Sequence, residues 1–486
     1  MKQLYGRQAR AVCAKKCKQL KKENIMEARE KEYLDGLFEK ARKAQIEMEF
    51  FSQEQTDKLV KAIGKAIYDN REILSREAIE ETGLGVYEGK VAKHAAITMS
   101  HWEYLKDKKS VGLIEEDPAN GIYTFGKAVG IVACLTPTTN PTTTAIGNSM
   151  CAVKARNAVI ISPHPRAKKC TAHCVALMNE AIIAAGGPEN LVQSIEEPNL
   201  DLTNQLMNDA DVIVATGGAA MVKSAYSSGR PSYGVGQGNV QIVIDREFSD
   251  YDKMLSNVMT SRIYDNGMPC TGEQSLIMPK EKEDEIIGMF LDRGGVYLVT
   301  EEEDIEKLRK AIFPKGFDGP INVGIVGHTA AEVAAYAGVN VPPATRLLMV
   351  KLDKFGSNEV LCREIMCPII RCFGYDTFEE GVDLAKTNLM LEGAGHSSGI
   401  YSDNDEHIMY AGEHLPVGRV MVAQPNSTAA GSSFFNGLVP TISLGCGSWG
   451  NNAISENLTY KHLMNTTRVS YVIKDAYNPT PEEVWG

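Results

Sequence analysis

The sequence predicts an α/β protein whose core is a parallel β-sheet covered by helices on both faces. From Val129 onward, short apolar segments alternate with segments that have helical periodicity. Strands that are apolar at every position are typical of parallel sheets buried on both faces. The 486 residues are 43% apolar and 23% charged. That composition is ordinary for a globular protein, and the length predicts two or three domains.

The first part of the chain has a helical pattern and ends in a hairpin. Within residues 27–109, a helix is expected to begin near Ser52 and to place Leu59, Ile63, Ala66 and Ile67 on one face. Residues 110–128 predict two extended strands around the turn sequence Asp-Pro-Ala-Asn-Gly.

Alternating strands and helices follow the hairpin. The expected strands are Val129–Leu135, Ala158–Ser162, Leu191–Ile195, Asp211–Ala215 and Val240–Ile244. The expected helices are Thr144–Arg156, Ala167–Ala185, Leu202–Asn208 and Ala220–Ser228. A ligand bound to such a sheet lies beyond the carboxyl ends of its strands.

Charge and cysteine content exclude several classes of protein. The formal net charge of −11 disfavours binding to nucleic acid. No apolar run approaches the roughly 18 residues of a membrane span. Eleven cysteines without a secretory signal predict reduced thiols in the cytoplasm. Cys170 and Cys174, near His164 and His173, lack the spacing of a zinc site, so we expect core packing and no metal.

The N-terminal residues differ from the rest of the chain. Residues 1–22 contain eight Lys or Arg and no acidic residue. A basic amphipathic tail, a targeting segment and an upstream start of the reading frame all fit this pattern. We expect residues 1–25 to be a dispensable extension.

Polar and glycine-rich loops follow the expected strands of the sheet. Thr136, Pro137 and Thr138 come after the first strand, and a Ser-Pro-His-Pro-Arg segment, residues 162–166, after the second. Gly217 and Gly218 open a helix, where the free N–H groups and the helix dipole favour a phosphate. The common G-x-G-x-x-G fingerprint does not follow the first strand, so an ordinary Rossmann dehydrogenase is disfavoured.

One cysteine lies in a turn-forming segment. Asn266 and Gly267 favour a tight turn, Pro269 lacks an N–H donor, and the apolar residues 276–278 predict a strand after Cys270. Such a junction can present a nucleophile into a cleft. A small buried hydrophobic residue is the alternative role of a free cysteine.

The motifs together resemble the CoA-acylating aldehyde dehydrogenases, and within them the CoA-dependent succinate-semialdehyde dehydrogenases most of all. From about Met26, the chain carries in order the family's Thr-Asn-Pro, Ser-Pro-His-Pro-Arg, Thr-Gly-Gly, Asp-Asn-Gly-x-x-Cys, Glu-x-x-Cys-Pro, Gly-His and Gly-Cys-Gly-Ser-Trp-Gly segments. The resemblance implies two parallel-sheet lobes, an NAD-binding domain at 26–245 and a catalytic domain at 246–430. Residues 110–127 and 431–486 are expected to supply an oligomerisation arm and a C-terminal tail, in a homodimer or larger homo-oligomer.

The resemblance also assigns roles to individual residues. It implies Cys270 as the nucleophile, Asn140 as an oxyanion donor, Glu364 near the nicotinamide ribose and His396 near the active site. The residues implied to bind NAD or NADP are Thr136, Pro137, Thr138, Ser162, His164, Pro165, Arg166, Gly217, Gly218 and Gly236. The segment 234–239 lacks the carboxylate that activates water in hydrolytic relatives, which favours CoA as the acyl acceptor.

The sequence leaves the substrate open. Arg262 resembles an arginine of the succinate-semialdehyde enzymes and is expected to bind a distal carboxylate of the aldehyde. Residues 140–146 look more like those of the aldehyde-alcohol dehydrogenases, so acetaldehyde, butyraldehyde and sulfoacetaldehyde remain alternatives. Arg166 could meet the 2′-phosphate of NADP or only solvent. Rival interpretations are a hydrolytic aldehyde dehydrogenase, a thiolase-like acyltransferase and a non-catalytic scaffold.

Overall fold

The computed structural model describes residues 28–474 and 476–486. The predicted extension, 1–25, lies outside the described residues. Within the described part of the chain, none of the helices has the length and apolar character needed to cross a membrane.

Four helices form the N-terminal part of the described chain. They are α1 (Ala28–Met48), α2 (Gln53–Asp69), α3 (Arg71–Thr82) and α4 (Tyr87–Leu105). A capping box between Ser52 and Gln55 begins α2, as the sequence predicted, because each residue's side chain accepts from the other's backbone N–H. The helix buries Leu59, Ile63 and Ile67.

A three-stranded antiparallel sheet follows α4. The predicted hairpin is present as β1 (Gly112–Asp117) and β2 (Ile122–Ala128). The second strand also pairs along its length with a C-terminal strand, Met464–Ser470. The extended segments expected at opposite ends of the chain therefore meet in one sheet.

The first parallel sheet has five strands in the order β5-β4-β3-β6-β7. Its strands are β3 (Ile131–Thr136), β4 (Ala158–Pro163), β5 (Val192–Ser194), β6 (Val212–Thr216) and β7 (Ser232–Val235). The connecting helices are α5 (Pro141–Lys154), α6 (Lys168–Ala184), α7 (Leu200–Asp209) and α8 (Ala219–Ser227). Every residue of β3 and β4 is buried, as expected for a sheet covered on both faces. The register places Thr136 beside Pro163, and Thr216 beside Val235, at one edge.

The second parallel sheet has seven strands in the order β10-β11-β12-β9-β8-β13-β14. Its strands are β8 (Val240–Ile244), β9 (Glu273–Pro279), β10 (Val296–Val299), β11 (Leu347–Lys351), β12 (Ile369–Tyr375), β13 (Ser398–Tyr401) and β14 (Val420–Val422). The helices around it are α9 (Tyr251–Ile263), α10 (Glu283–Asp292), α11 (Glu302–Ile312), α12 (Ala330–Ala337), α13 (Phe378–Leu391), α14 (Asp405–His414) and α15 (Asn426–Ser432). Two separate hydrophobic clusters cover its faces.

One sequence expectation about the lobes is wrong. The predicted strand Val240–Ile244 is present, but it pairs with β9 and β13 of the second sheet, whereas the sequence boundary at 245 placed it in the first lobe. A strand that is apolar throughout has the same pattern in either sheet, so the sequence could not assign it. The chain passes between the sheets through residues 236–239.

The C-terminal part contains few regular elements. The strand that pairs with the hairpin is β15 (Met464–Ser470), and the last helix is α16 (Pro481–Trp485). Six of the seven residues of β15 are exposed, and only Met464 is partly buried. The ring of Tyr471 packs edge-on against Tyr123 of β2, with the ring centroids 5.8 Å apart.

Candidate active site

A cavity of about 530 Å³ lies at the carboxyl ends of the first sheet and reaches the second lobe. Its lining contains all the predicted cofactor-binding residues except Arg166: Thr136, Pro137, Thr138, Ser162, His164, Pro165, Gly217, Gly218 and Gly236. The predicted catalytic residues Asn140, Cys270 and Glu364 line the same cavity. The fold therefore brings cofactor loops and catalytic residues together at the sheet edge where ligands of such sheets bind.

The part of the cavity in the first lobe fits a dinucleotide. Gly217 and Gly218 directly precede α8, and a Cβ atom added to Gly218 would meet nothing within 4 Å, so ligand can approach the first turn of this helix. The Oγ1 atom of Thr136 is buried and has no hydrogen-bond partner among the described residues. A buried hydroxyl without a partner is unfavourable, and a polar ligand group would supply one.

Arg166 does not belong to this lining. Its side chain is exposed, and its Nη2 donates to the carbonyl of Thr82 at 3.1 Å. The structure thus gives no support to the sequence expectation that Arg166 faces the adenosine end of the cofactor.

The cysteine loop adopts an unusual backbone conformation. Asp265 and Asn266 have φ values of 48° and 53°, and Gly267 has φ of 68°. Left-handed conformations are unfavourable for residues with a Cβ, so surrounding contacts must hold them. Oδ1 of Asp265 accepts from the Val86 N–H at 2.8 Å, and Nδ2 of Asn266 donates to the Gly327 carbonyl at 2.8 Å.

A glycine of the inter-lobe segment packs directly against the cysteine. A Cβ atom built on Gly238 would lie 1.7 Å from the carbonyl oxygen of Cys270, so no other residue fits there without moving the loop. The Gly238 N–H donates to Oε1 of Glu364 at 3.1 Å. Glycine at position 238 is therefore required by close backbone approach at the reaction centre.

Cys270 and His396 form the central pair of the site. Nε2 of His396 lies 3.2 Å from the sulfur of Cys270, and its Nδ1 lies 2.8 Å from Oγ of Ser397. Burial, and to a smaller extent the negative charge of Glu364, raises the pKa of the Cys270 thiol to about 12. Burial, with the positive charge of Arg419, lowers the pKa of His396 to about 3. The resting pair is therefore a neutral thiol and a neutral imidazole, and Nε2 can accept the thiol proton if Nδ1 carries the ring's hydrogen.

Glu364 is a neutral acid at physiological pH. Burial, and then the neighbouring carboxylate of Glu392, raises its pKa to about 8. The Glu364 backbone N–H donates to Oε2 of Glu392 at 2.6 Å, which fixes the segment that carries it. In its protonated form, the side chain of Glu364 can donate a hydrogen bond into the cavity.

Asn140 is the N-cap residue of α5, but its side chain makes no cap hydrogen bond. Its Oδ1 instead accepts from the ammonium group of Lys93 on α4 at 2.6 Å. The same Lys93 nitrogen lies 2.6 Å from Oδ2 of Asp265. Sequence analysis assigned no functional residue to the helices before residue 110 and missed Lys93. The available signal was Lys90, His94 and His101, which are polar residues at helical spacing on the face that α4 buries.

The sequence expectation for Arg262 is wrong. This side chain is fully buried and does not line the cavity. It donates to the carbonyls of Ile365 at 2.7 Å, Cys367 at 2.5 Å and Ile369 at 2.9 Å. Its hydrogen-bonding capacity is used to hold residues 365–369 against the cysteine loop, so it is a structural residue and cannot bind a carboxylate of the substrate.

Comparison with known proteins agrees with this geometry. Residues 12–297 match the model of the aldehyde dehydrogenase family, so the match begins within the segment 1–25 that the sequence predicted to be an extension. The succinate-semialdehyde dehydrogenase (acetylating) of Clostridium kluyveri is 50% identical over 93% of this chain and 98% of its own length. The sulfoacetaldehyde dehydrogenase of an Acholeplasma species is 40% identical over 92% of both chains.

Solved structures give the same result. The acetylating aldehyde dehydrogenase of Geobacillus thermoglucosidasius superposes with a TM-score of 0.88 at 34% identity, covering 93% of this chain and 99% of that one. The propionaldehyde dehydrogenase of Rhodopseudomonas palustris, solved with bound CoA and an acylated cysteine, has a TM-score of 0.79 at 25% identity, covering 90% and 97%. The chain belongs to the aldehyde dehydrogenase family, in the group of its CoA-acylating members.

Proposed function

We propose that the chain oxidises succinate semialdehyde to succinyl-CoA, and catalyses the reverse reaction, through a thioester on Cys270. The observation that carries this proposal is the 3.2 Å contact between the Cys270 sulfur and Nε2 of His396. Cys270 lines the cavity together with Asn140 and Glu364, and His396 is fully buried outside the lining, in contact with the sulfur. A nucleophile within hydrogen-bond reach of a neutral base is the arrangement that covalent acyl transfer requires.

The first step forms a bond between the Cys270 sulfur and the aldehyde carbon. His396 takes the thiol proton at Nε2 as the bond forms, which avoids a free buried thiolate. The aldehyde oxygen becomes an oxyanion, and the Cys270 N–H and Nδ2 of Asn140 stabilise it. Hydrogen-bond donors that are in place before the reaction need no reorganisation as charge develops.

The thioester follows when the hemithioacetal carbon loses hydride. When bound, NAD+ or NADP+ supplies the hydride acceptor. The residues at the first sheet edge bind this cofactor: Thr136, Pro137, Thr138, Ser162, His164, Pro165, Gly217, Gly218 and Gly236. Glu364, which the family resemblance places near the nicotinamide ribose, would donate a hydrogen bond there in its protonated form, below its pKa of about 8.

The acyl group then passes to CoA, after His396 has released its first proton to solvent. His396 takes the proton of the CoA thiol, the CoA sulfur bonds to the acyl carbon, and the Cys270 sulfur leaves and regains a proton from His396. Residues 234–239 contain no carboxylate, and Gln237 lines the cavity there. Glu364 is protonated at neutral pH and does not activate water efficiently. These two features favour a thiol over water as the acyl acceptor, and they disfavour a hydrolytic dehydrogenase.

The proposed substrate rests on the relatives. Succinate semialdehyde and sulfoacetaldehyde, named for the relatives at 50% and 40% identity, are short aldehydes with an anionic group at the far end. A preference for a distal anion is therefore common to both. Acetaldehyde and butyraldehyde are the uncharged alternatives, and sulfoacetaldehyde is the anionic one.

We also propose how the chain is organised and where it acts. The lobe containing the first sheet binds NAD(P) up to about residue 235, and residues 240–430 form the catalytic lobe. The sheet of β1, β2 and the exposed β15 is a site for assembly into homo-oligomers. The cysteines of the described residues are all free thiols, which fits a cytoplasmic location.

An aldehyde panel tests the proposed function. The wild type is assayed for NADH and NADPH formation, with and without CoA, on succinate semialdehyde, sulfoacetaldehyde, acetaldehyde and butyraldehyde, and the acylated products are identified. CoA-dependent succinyl-CoA formation is expected, and Cys270→Ala is expected to abolish it while retaining NAD binding. Free succinate formed without CoA would contradict the acyl-transfer proposal, and a preference for butyraldehyde would contradict the substrate.

A further inference from the structure

A buried ion-pair cluster connects α4, the cysteine loop and Asn140. The Lys93 ammonium lies 2.6 Å from both Oδ1 of Asn140 and Oδ2 of Asp265. The Asp265 side chain is fully buried, and that of Lys93 is 11% exposed. Lys90 completes the cluster, with its ammonium 3.7 Å from Asp265. The three charges are two lysines and one carboxylate.

The contact with Lys93 determines the orientation of the Asn140 amide, that is, which of Oδ1 and Nδ2 faces the lysine. An ammonium group can only donate, so the atom of Asn140 nearest to Lys93 must be the oxygen. The amide nitrogen, Nδ2, is then on the opposite edge of the group. This argument does not depend on how oxygen and nitrogen were assigned.

The helix competes for the same oxygen. Asn140 occupies the N-cap position of α5, where an asparagine oxygen ordinarily accepts from the backbone N–H of the second or third residue. No such hydrogen bond is present. A charge-assisted hydrogen bond is roughly twice as strong as a neutral one, so Lys93 can hold the side chain away from the cap.

We propose that Lys93 is a positioning residue that aims Nδ2 of Asn140 at the reacting carbonyl oxygen. The inference rests on the proposed role of Asn140 as an oxyanion donor. Without Lys93, the Asn140 oxygen is free to cap α5, and the amide turns away from the position in which it serves the oxyanion.

Asp265 connects Lys93 to the loop that carries Cys270. It lies five residues before Cys270 in the cysteine loop, and its other oxygen accepts from the Val86 N–H at 2.8 Å. Gly85 leaves the space for this contact, because a Cβ there would lie 2.1 Å from Oδ1 of Asp265. The lysine therefore contacts the oxyanion donor and the loop of the nucleophile at the same time.

A double-mutant cycle tests the inference on the full chain. Lys93→Met, Asn140→Ala and the double variant are compared with the wild type by kcat for NADH formation from succinate semialdehyde and CoA. Loss of one oxyanion donor lowers kcat by about 10²–10³-fold. Lys93→Met is expected to lower kcat by about 10–100-fold with the Kd for NAD+ unchanged, and the double variant is expected to match Asn140→Ala. Losses that multiply would overturn the proposal.

Lys90→Met is the matched control. It removes a charge from the same cluster and from the same helix. The Lys90 ammonium lies 3.5 Å from the carbonyl of Thr139, and among the described residues it makes no hydrogen bond with the Asn140 side chain. The effect of Lys90→Met is expected to multiply with that of Asn140→Ala. Lys93→Arg retains a charged donor and should recover at least part of the kcat that Lys93→Met loses.

Two further measurements separate the alternatives. Asn140→Asp is isosteric, keeps an acceptor for Lys93 and puts an oxygen where Nδ2 was, so it should fold normally and lose at least about 10²-fold in kcat. Retained activity in that variant would overturn the stated amide orientation even if Lys93→Met does not fold. Lys93 lowers the pKa of the Cys270 thiol to a minor extent, so Lys93→Met should slow the alkylation of Cys270 much less than it lowers kcat. A loss in alkylation rate as large as the loss in kcat would show that Lys93 acts on the thiol instead. Failure of the proposed function would be visible separately, as a wild type that forms no acyl-CoA.

Discussion

The pair of Cys270 and His396 allows a quantitative prediction about pH. With the thiol pKa raised to about 12, only about 10⁻⁴ of Cys270 is thiolate at pH 8. The wild type does not need this fraction, because His396, with its pKa lowered to about 3, is a free base throughout the assay range. A His396→Ala variant must instead react through the pre-formed thiolate.

The expected difference follows from the direction of titration. Thiolate rises tenfold with each pH unit below the thiol pKa, so the variant's rate should rise by the same factor between pH 7 and 10. Dividing the wild-type rate by the variant rate cancels the effect of Glu364, which titrates near pH 8 in both proteins. The ratio should be about 10²–10⁴ at pH 7.5 and should fall about tenfold per pH unit.

The assay is a single-turnover burst of NADH at saturating NAD+, which isolates acylation of the enzyme from later steps. Ser397→Ala is the matched control, since it removes only the 2.8 Å partner of His396 Nδ1. Ser397→Ala should lower the burst rate, but the ratio of wild-type to variant rate should not change with pH. If the ratio for His396→Ala is constant across pH, His396 is not the proton acceptor and the 3.2 Å contact only packs the thiol.

Three further predictions concern buried groups around the site. Arg262→Met leaves three carbonyls unpaired at about 1–3 kcal/mol each. Thermal denaturation should therefore show a loss of at least about 3 kcal/mol, and kcat/KM should fall equally for succinate semialdehyde and butyraldehyde. A selective loss on succinate semialdehyde would restore the carboxylate role. The folded wild type raises the pKa of Glu364 to about 8, so this group stabilises the fold fully below pH 4.5, and the contribution is lost as the pH rises towards 8. Glu364→Gln has no such loss, so its thermal stability relative to wild type should increase between pH 5 and 9. A stability difference that does not change with pH would contradict the raised pKa. Gly238→Ala should lose more than about tenfold in burst rate, since its Cβ would lie 1.7 Å from the Cys270 carbonyl oxygen. The Cβ of Gly236→Ala would make only an ordinary 3.8 Å contact with a sulfur, so this variant should keep wild-type thermal stability.

Local sequence patterns predicted the elements better than their partners. The strand Val240–Ile244 was predicted at its observed bounds, but its sheet was wrong because pairing depends on residues far along the chain. The turn sequence around Cys270 was recognisable, but its assignment as the nucleophile came from the family resemblance. The burial of Arg262 could not be predicted from the sequence, since the residues that it binds, 365–369, are about a hundred positions away. Lys93 was missed for the same reason, because its contacts are 47 and 172 residues distant.

The charges of the site follow a single physical constraint. Cys270, His396 and Glu364 are all neutral at rest, because burial makes an isolated charge in this cavity unfavourable. The charges that persist nearby include the cations of Arg419 and Lys93 and the carboxylate of Asp265, which together are net positive. Burial lowers the pKa of Lys90 to about 8, so its charge is lost as the pH rises through that value. Charge of the opposite sign develops only on the substrate oxygen during attack by the sulfur. The site is thus electrostatically matched to the transition state and not to the resting thiol, which is the condition under which fixed charges accelerate a reaction.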